Sequence, residues 1–307
     1  MERSILVPLD GSALAERALP FAVSLARASG DRLVLLRANL LRDFGARPEG
    51  QIDPQDDLAV ISERLGAESV AAEPHVYPVY ELDEVAGAIC DAASQRKCRL
   101  IVMSTHGRGG LGRMLYGSVA DAVLREAEVP VLLVPVTCER TWPTDRPLRL
   151  LVALDGSALA EQALGPASEL MRAAGAELVL VQSFDLSSIV ATDSFSYLAI
   201  DPDAELAAAR EYLEGVAAPL RQAGGKVEIH ADLGAAPRVI AAVARDRNID
   251  LIVMATRGRG GLARLVLGSV ATETLHRVDV PTLLVRPAKR AIADEAASDV
   301  GATTPPG

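Results

Sequence analysis

Aromatic side chains are scarce: Phe, Trp and Tyr make up 3% of the 307 residues, with a single tryptophan. The apolar half of the chain therefore has to build its cores from Ala, Leu and Val, and the length suits two such cores. Cysteine is nearly as rare. Cys90, Cys98 and Cys138 are odd in number and not in metal-ligand spacing, which excludes a disulfide framework and argues against a zinc site, leaving three ordinary thiols. Positive charge is in deficit, with a formal net charge of −10, so no basic field steers the chain toward nucleic acid or anionic membranes. No apolar run reaches the length of a bilayer span and no signal-peptide pattern precedes the first apolar segment, from which a cytoplasmic location is expected.

What the chain has in abundance is itself. ILVPLDGSALAE at residues 5–16 returns as LLVALDGSALAE at 150–161, and STHGRGGLGRMLYGS at 104–118 returns as ATRGRGGLARLVLGS at 255–269. The offsets, 155 − 10 = 145 for the aspartates and 258 − 107 = 151 for the glycines, are the size of a whole domain rather than of a solenoid repeat. The expected organisation is a domain over 1–137, a linker over 138–147, a second domain over 148–287 and a disordered tail over 288–307, which loses apolar periodicity and ends GATTPPG. The linker carries two prolines and the lone Trp142, a candidate for packing at an interdomain surface.

Within each copy, β-rich runs alternate with helical patterns. In the first, strands are predicted at Ser4–Leu9, Arg32–Ala38, His75–Tyr80, Leu100–Met103 and Val131–Val134, with helices at Ala13–Ala28, Gln55–Ala71, Leu82–Ser94 and Ser118–Ala127. The second repeats the order, with strands near Leu150–Leu154, Glu177–Val181, Lys226–His230, Leu251–Met254 and Thr282–Val285. Continuous apolar runs such as LIVM and VLLVP suit strands buried on both faces, which makes each copy a doubly wound α/β domain with helices on both faces of an open, parallel, five-stranded sheet of order 3-2-1-4-5. Phe184–Pro202 is long and polar for a connection, as either a mobile lid or an insertion.

In such sheets ligands collect beyond the carboxyl ends of the strands where the winding reverses, between the first and fourth strands. Both repeated motifs fall there. Gly107, Gly109, Gly110 and Gly112 precede Gly117-Ser118 at a helix start, and Gly258, Gly260 and Gly261 precede Gly268-Ser269. Glycines let main-chain N–H groups curl around an anion, and a helix N-terminus adds unpaired donors. Ser118 and Ser269 are read as helix N-caps or as donors to a phosphate oxygen. The loop has no GxxxxGK[ST] spacing and no lysine, and the first strand is followed by Asp-Gly-Ser rather than a dinucleotide fingerprint, so neither a P-loop nor a Rossmann site is expected. Asp10 and Asp155 are read either as ligands or as turn and cap residues, and Arg108 and Arg259 as phosphate partners or surface arginines.

These residues resemble the universal stress protein family, in particular its tandem, ATP-binding members. The family pattern of Gly-x-x-Gly, nine residues, then Gly-Ser/Thr is matched from its second glycine by Gly107 with Gly117-Ser118 and by Gly258 with Gly268-Ser269; its first glycine is Ser104 in one copy and Ala255 in the other. The family's aspartate at the end of the first strand is matched by Asp10 and Asp155. The resemblance implies an adenine nucleotide alpha hydrolase-like fold. It places Pro8, Leu9 and Asp10, and Ala153, Leu154 and Asp155, beside an adenosine, with the main chain at Ala38 and Ser183 reading the adenine edge. It gives the phosphates to Gly107, Arg108, Gly110, Gly117, Ser118 and Val119, and to Gly258, Arg259, Gly261, Gly268, Ser269 and Val270, with Met103, Thr105, Met254 and Thr256 completing the cofactor-binding set.

The function implied is stress response or signalling through ATP, bound with Mg2+, that alters conformation or the choice of a protein partner. Pairing of the domains through their last strands, and a possible homodimer, follow from the same resemblance. Two alternatives stay open: a nucleotide-independent scaffold, and a slow ATP hydrolase. No catalytic residue is assigned, because His106 in the first copy is Arg257 in the second and no proton-transfer group is common to both.

Overall fold

A computed structural model of the chain describes residues 3–41, 53–105, 117–185, 201–256 and 267–286. The chain divides into two compact units, one of Met1–Trp142 with Asp279–Leu283, the other of Pro143–Val278 with Leu284–Gly307.

In the first copy, β1 (Ser4–Pro8), β2 (Arg32–Leu40), β3 (Ala72–Val79), β4 (Cys98–Ser104) and β5 (Val131–Val134) lie in the order β3-β2-β1-β4-β5. Every pairing among them is parallel, with Leu6 opposite both Val34 and Ile101. Ile5, Leu6, Leu33–Leu36, Ile101 and Leu132–Val134 are wholly buried, as expected when helices cover both faces. β3 is only half-buried and carries Pro74 and Pro78, four residues apart on the edge of the sheet, where a missing N–H breaks no ladder bond.

The helices are α1 (Ala13–Glu16), α2 (Leu19–Ser29), α3 (Pro54–Ala67), α4 (Glu84–Gln95) and α5 (Ser118–Glu126). The single helix expected over Ala13–Ala28 is thus two. The chain closes tighter turns there, from Arg17 N–H to the Leu14 carbonyl and from Ala18 N–H to Ala15, and the second copy closes the same turns from Gln162 to Leu159 and from Ala163 to Ala160. α3 stops four residues early and β3 starts three residues early, because Ser69 takes a left-handed φ of 61° between them.

The second copy has the same plan: β6 (Arg149–Ala153), β7 (Glu177–Phe184), β8 (Val227–Leu233), β9 (Leu251–Ala255) and β10 (Thr282–Val285) in the order β8-β7-β6-β9-β10. Its helices are α6 (Ala158–Glu161), α7 (Leu164–Ala174), α8 (Pro202–Gln222), α9 (Ala236–Asp246) and α10 (Ser269–Arg277). α3 and α8 start alike, on Asp53-Pro54 and Asp201-Pro202, where each aspartate accepts a hydrogen bond from the backbone two residues on, at 2.8 and 3.0 Å, and the proline fills the first helical position. The polar segment between Phe184 and Pro202, apart from its ends, and the 288–307 tail lie outside the described residues.

Trp142 packs edge-on against Phe21 of its own unit, with ring centroids 5.2 Å apart. A short distance on, Arg146 forms a two-bond ion pair with Asp250, at 2.7 and 2.8 Å, within the second unit.

Candidate functional site

The sheet order makes β1 and β4 neighbours at the point where the winding reverses, and likewise β6 and β9. In the second copy Ala153 and Met254 are register partners across that point. In the first, Pro8 and Met103 each stand two residues beyond the Leu6–Ile101 pair. At the carboxyl ends of these strands the sequence places Asp10 and Asp155 on one side and the start of each glycine loop on the other.

The Asp-Gly-Ser turn has the same construction in both copies. Leu9 and Leu154 extend the first strand of each, donating backbone N–H to Leu36 and Val181 at 2.8 Å. Asp10 Oδ1 then accepts the N–H of Ser12 at 2.9 Å, and Asp155 Oδ1 that of Ser157 at 3.0 Å. Gly11 and Gly156 bridge the turn at φ values of 81° and 83°, a conformation that admits almost only glycine. Ser12 and Ser157 cap the following helix, each hydroxyl accepting from a backbone N–H three residues on at 3.1 Å. Each aspartate carboxylate thus braces its turn at the strand end. Both serines are structural parts of the turn, and Asp-Gly-Ser directly before a helix carried the signal.

On the other side, Thr105 and Thr256 are buried and donate backbone N–H to Val134 and Val285 at 3.0 and 2.8 Å. Gly117 and Gly268, not the serines, hold the N-cap positions of α5 and α10. Ser118 and Ser269 are the first helical residues, and neither helix has a side-chain cap bond. The N-cap reading of the two serines is thus corrected: the capping position needs a non-helical backbone, which the glycine supplies, leaving the exposed serine hydroxyls uncommitted to a cap. Val119 is half-buried and Val270 exposed beside them.

The two copies differ in detail here. Gly117 has φ 76° and ψ 146°; Gly268 has φ −62° and ψ 152°, and its N–H donates to the Thr256 carbonyl at 2.8 Å. A second difference lies beside Ala38 and Ser183, both half-buried near the ends of β2 and β7. Arg37 is buried and ion-paired with Asp57 of α3, whereas Gln182 holds the equivalent place and its amide oxygen is buried without a partner among the described residues. A charge within the apolar run RLVLLRANL was the visible signal for the first of these.

Gly107, Arg108, Gly110 and His106, with Gly258, Arg259, Gly261 and Arg257, lie outside the described residues. Among the described residues, no group of three or more His, Cys, Asp or Glu side chains is arranged to hold a metal ion, and no helix is long and apolar enough to cross a membrane.

The family model of the universal stress proteins matches residues 1–135 and 148–286. A universal stress protein of Mycobacterium tuberculosis is 29% identical over 196 residues, a match covering 62% of this chain and 62% of that protein. One from Thermus aquaticus is 35% identical over 141 residues, 44% of this chain and 99% of its own length. Among solved structures, a chain from Pseudomonas aeruginosa superimposes with a TM-score of 0.68 at 20% identity, covering 97% of this chain and 98% of its own, which speaks for the fold. The chain belongs to the universal stress protein family, as a member with two such domains in tandem.

Proposed function

We propose that each half of the chain binds an adenine nucleotide, ATP with Mg2+, and that binding acts in stress signalling through conformation or partner choice rather than through rapid chemistry. The observation that carries this reading is the duplicated switch point. An Asp-Gly-Ser turn ends one central strand, and a glycine-capped helix N-terminus follows the adjacent one, in both copies. Such a helix start offers backbone N–H groups and a positive dipole end to phosphate oxygens, and the exposed Ser118 and Ser269 hydroxyls stand beside it.

Gly107, Arg108 and Gly110, with Gly258, Arg259 and Gly261, would complete the phosphate cradle, and Ala38 and Ser183 would meet the base. With no protein cluster for a metal among the described residues, Mg2+ would be held chiefly by phosphate oxygens and water. We further place the protein in the cytoplasm and propose that it self-associates.

Calorimetric titration of nucleotide-stripped protein with ATP and Mg2+ tests the reading, repeated on Gly117→Val and Gly268→Val. Binding heat that falls by one site in each variant supports two phosphate sites. No heat and no protection against unfolding at millimolar ATP rejects the reading in favour of a nucleotide-independent scaffold. Phosphate release that vanishes in the Asp10→Ala, Asp155→Ala double variant would support slow hydrolysis instead.

A further inference from the structure

The segment after β5 is fastened to the helices that follow β1. Beyond Pro135 the chain turns, with the Cys138 N–H donating to the Pro135 carbonyl at 2.9 Å. Arg17, at the C-cap of α1, donates from Nη1 to the Val136 carbonyl. The Trp142 and Phe21 rings meet at 83°, the edge-to-face geometry that adds attraction beyond simple burial. Cys138 and Trp142 are each only 8% exposed.

Arg17 and Phe21 sit on the two short helices that leave the Asp10-Gly11-Ser12 turn. From Leu9 to Glu16 the first copy is identical to Leu154–Glu161 of the second, yet Arg17 becomes Gln162 and Phe21 becomes Pro166. Directly after the stretch that forms the common turn, the copies thus part at both positions that touch this segment, and at Pro20, which becomes Gly165.

We propose that residues 136–142 are a clasp that reads occupancy of the first site, a proposal that rests on the nucleotide reading above. Asp10 holds the Ser12 N–H, the Ser12 hydroxyl caps α1 at Ala15, Arg17 ends that helix, and Phe21 lies one turn further along α2. A ligand shifts a conformational equilibrium only by binding its two states differently. Asp10 supplies that difference: its carboxylate serves the turn, and a nucleotide recruiting it loosens the hold on Ser12 and so on the helices that carry the clasp. The second copy carries Gln162 and Pro166 in place of Arg17 and Phe21.

The test uses the full chain, because Trp142 is its only tryptophan and reports the clasp without a label. ATP with Mg2+ is titrated while heat, Trp142 emission, iodide quenching and N-ethylmaleimide labelling of Cys138 are followed together. The expected result is binding heat accompanied by a red-shifted, more quenchable Trp142 and labelling of Cys138 that is several-fold faster. Arg17→Gln, and separately Arg17→Gln with Phe21→Leu, should move the ligand-free protein toward that state and shrink the response to ATP. Binding heat with unchanged Trp142 and Cys138 signals overturns the clasp while leaving the nucleotide reading intact. If no heat appears, the nucleotide reading fails and the relay is judged on Asp10→Ala against its matched control Asp155→Ala. Faster Cys138 labelling in the first variant alone supports the turn-to-clasp link, and equal labelling in both overturns it.

Discussion

Val123 and Thr274 occupy the same turn of the equivalent helices α5 and α10, both wholly buried, and the Thr274 hydroxyl has no hydrogen-bond partner among the described residues. The first copy has thus solved with a methyl group what the second leaves as an uncompensated polar burial. Thr274→Val should stabilise the protein by about 1 kcal/mol, since an unsatisfied hydroxyl is exchanged for an isosteric apolar group. For a unit of this size that raises Tm by ~4 °C in a thermal melt. The reverse change, Val123→Thr, should cost a similar amount.

Gly117 and Gly268 should respond unequally to alanine. A backbone at φ 76°, ψ 146° is close to glycine-only, and forcing a side chain into it costs about 1–3 kcal/mol. The φ of −62° at Gly268 accepts any residue, so Gly268→Ala should change stability by about 0.5 kcal/mol or less. Urea unfolding of the two variants side by side checks the difference, and equal losses would contradict it.

Ser157 accepts the Ala160 N–H as a helix cap and donates its hydroxyl to Asp155 Oδ1 at 2.6 Å. Ser157→Ala removes both bonds at a buried position, so the expected loss is about 1–2 kcal/mol. Ser157→Thr, which keeps the hydroxyl, should recover most of it in the same denaturation assay.

His75 lies on β3, with Arg96 donating to its Nδ1 side at 3.0 Å and Glu73 paired to the same guanidinium. Burial, then the Arg96 charge, lowers its pKa below the ordinary 6.5, against a raising pull from Glu73. The folded protein therefore takes up this proton later than the unfolded chain does. Its stability is flat in this respect above pH 6.5 and falls as the pH drops through 6.5 toward the folded value. His75→Asn keeps an acceptor for Arg96 and removes the titration, and should flatten that part of the stability profile between pH 7 and 5.

Much of this was legible from residue pattern alone. Apolar runs such as LIVM at Leu100–Met103 became buried central strands because parallel strands covered on both faces need nothing else, and Asp-Gly-Ser announced a tight strand-to-helix turn through a glycine that must adopt positive φ. Element ends were less legible. The break between α1 and α2 depends on two tight turns closed at Arg17 and Ala18, and the end of α3 on Ser69 turning left-handed, both too local for a periodic pattern to register. At the site, the cap fell to Gly117 rather than Ser118, because backbone conformation outweighs hydroxyl chemistry there. Arg37 stood out as a charge within an apolar run, but its partner Asp57 was illegible because the fold joins the two and helical or strand spacing does not.

The parallel order of the first sheet also bears on how the chain is made. β1 lies between β2 and β4, and Ser4 is separated by 94 residues from Cys98, its neighbour across the strand on the β4 side. At about 5–20 residues per second, a ribosome needs roughly 5–20 s to deliver that partner after β1 has emerged. Until then one flank of a buried central strand stands open, so this interval during synthesis is when a chaperone would have the most to cover.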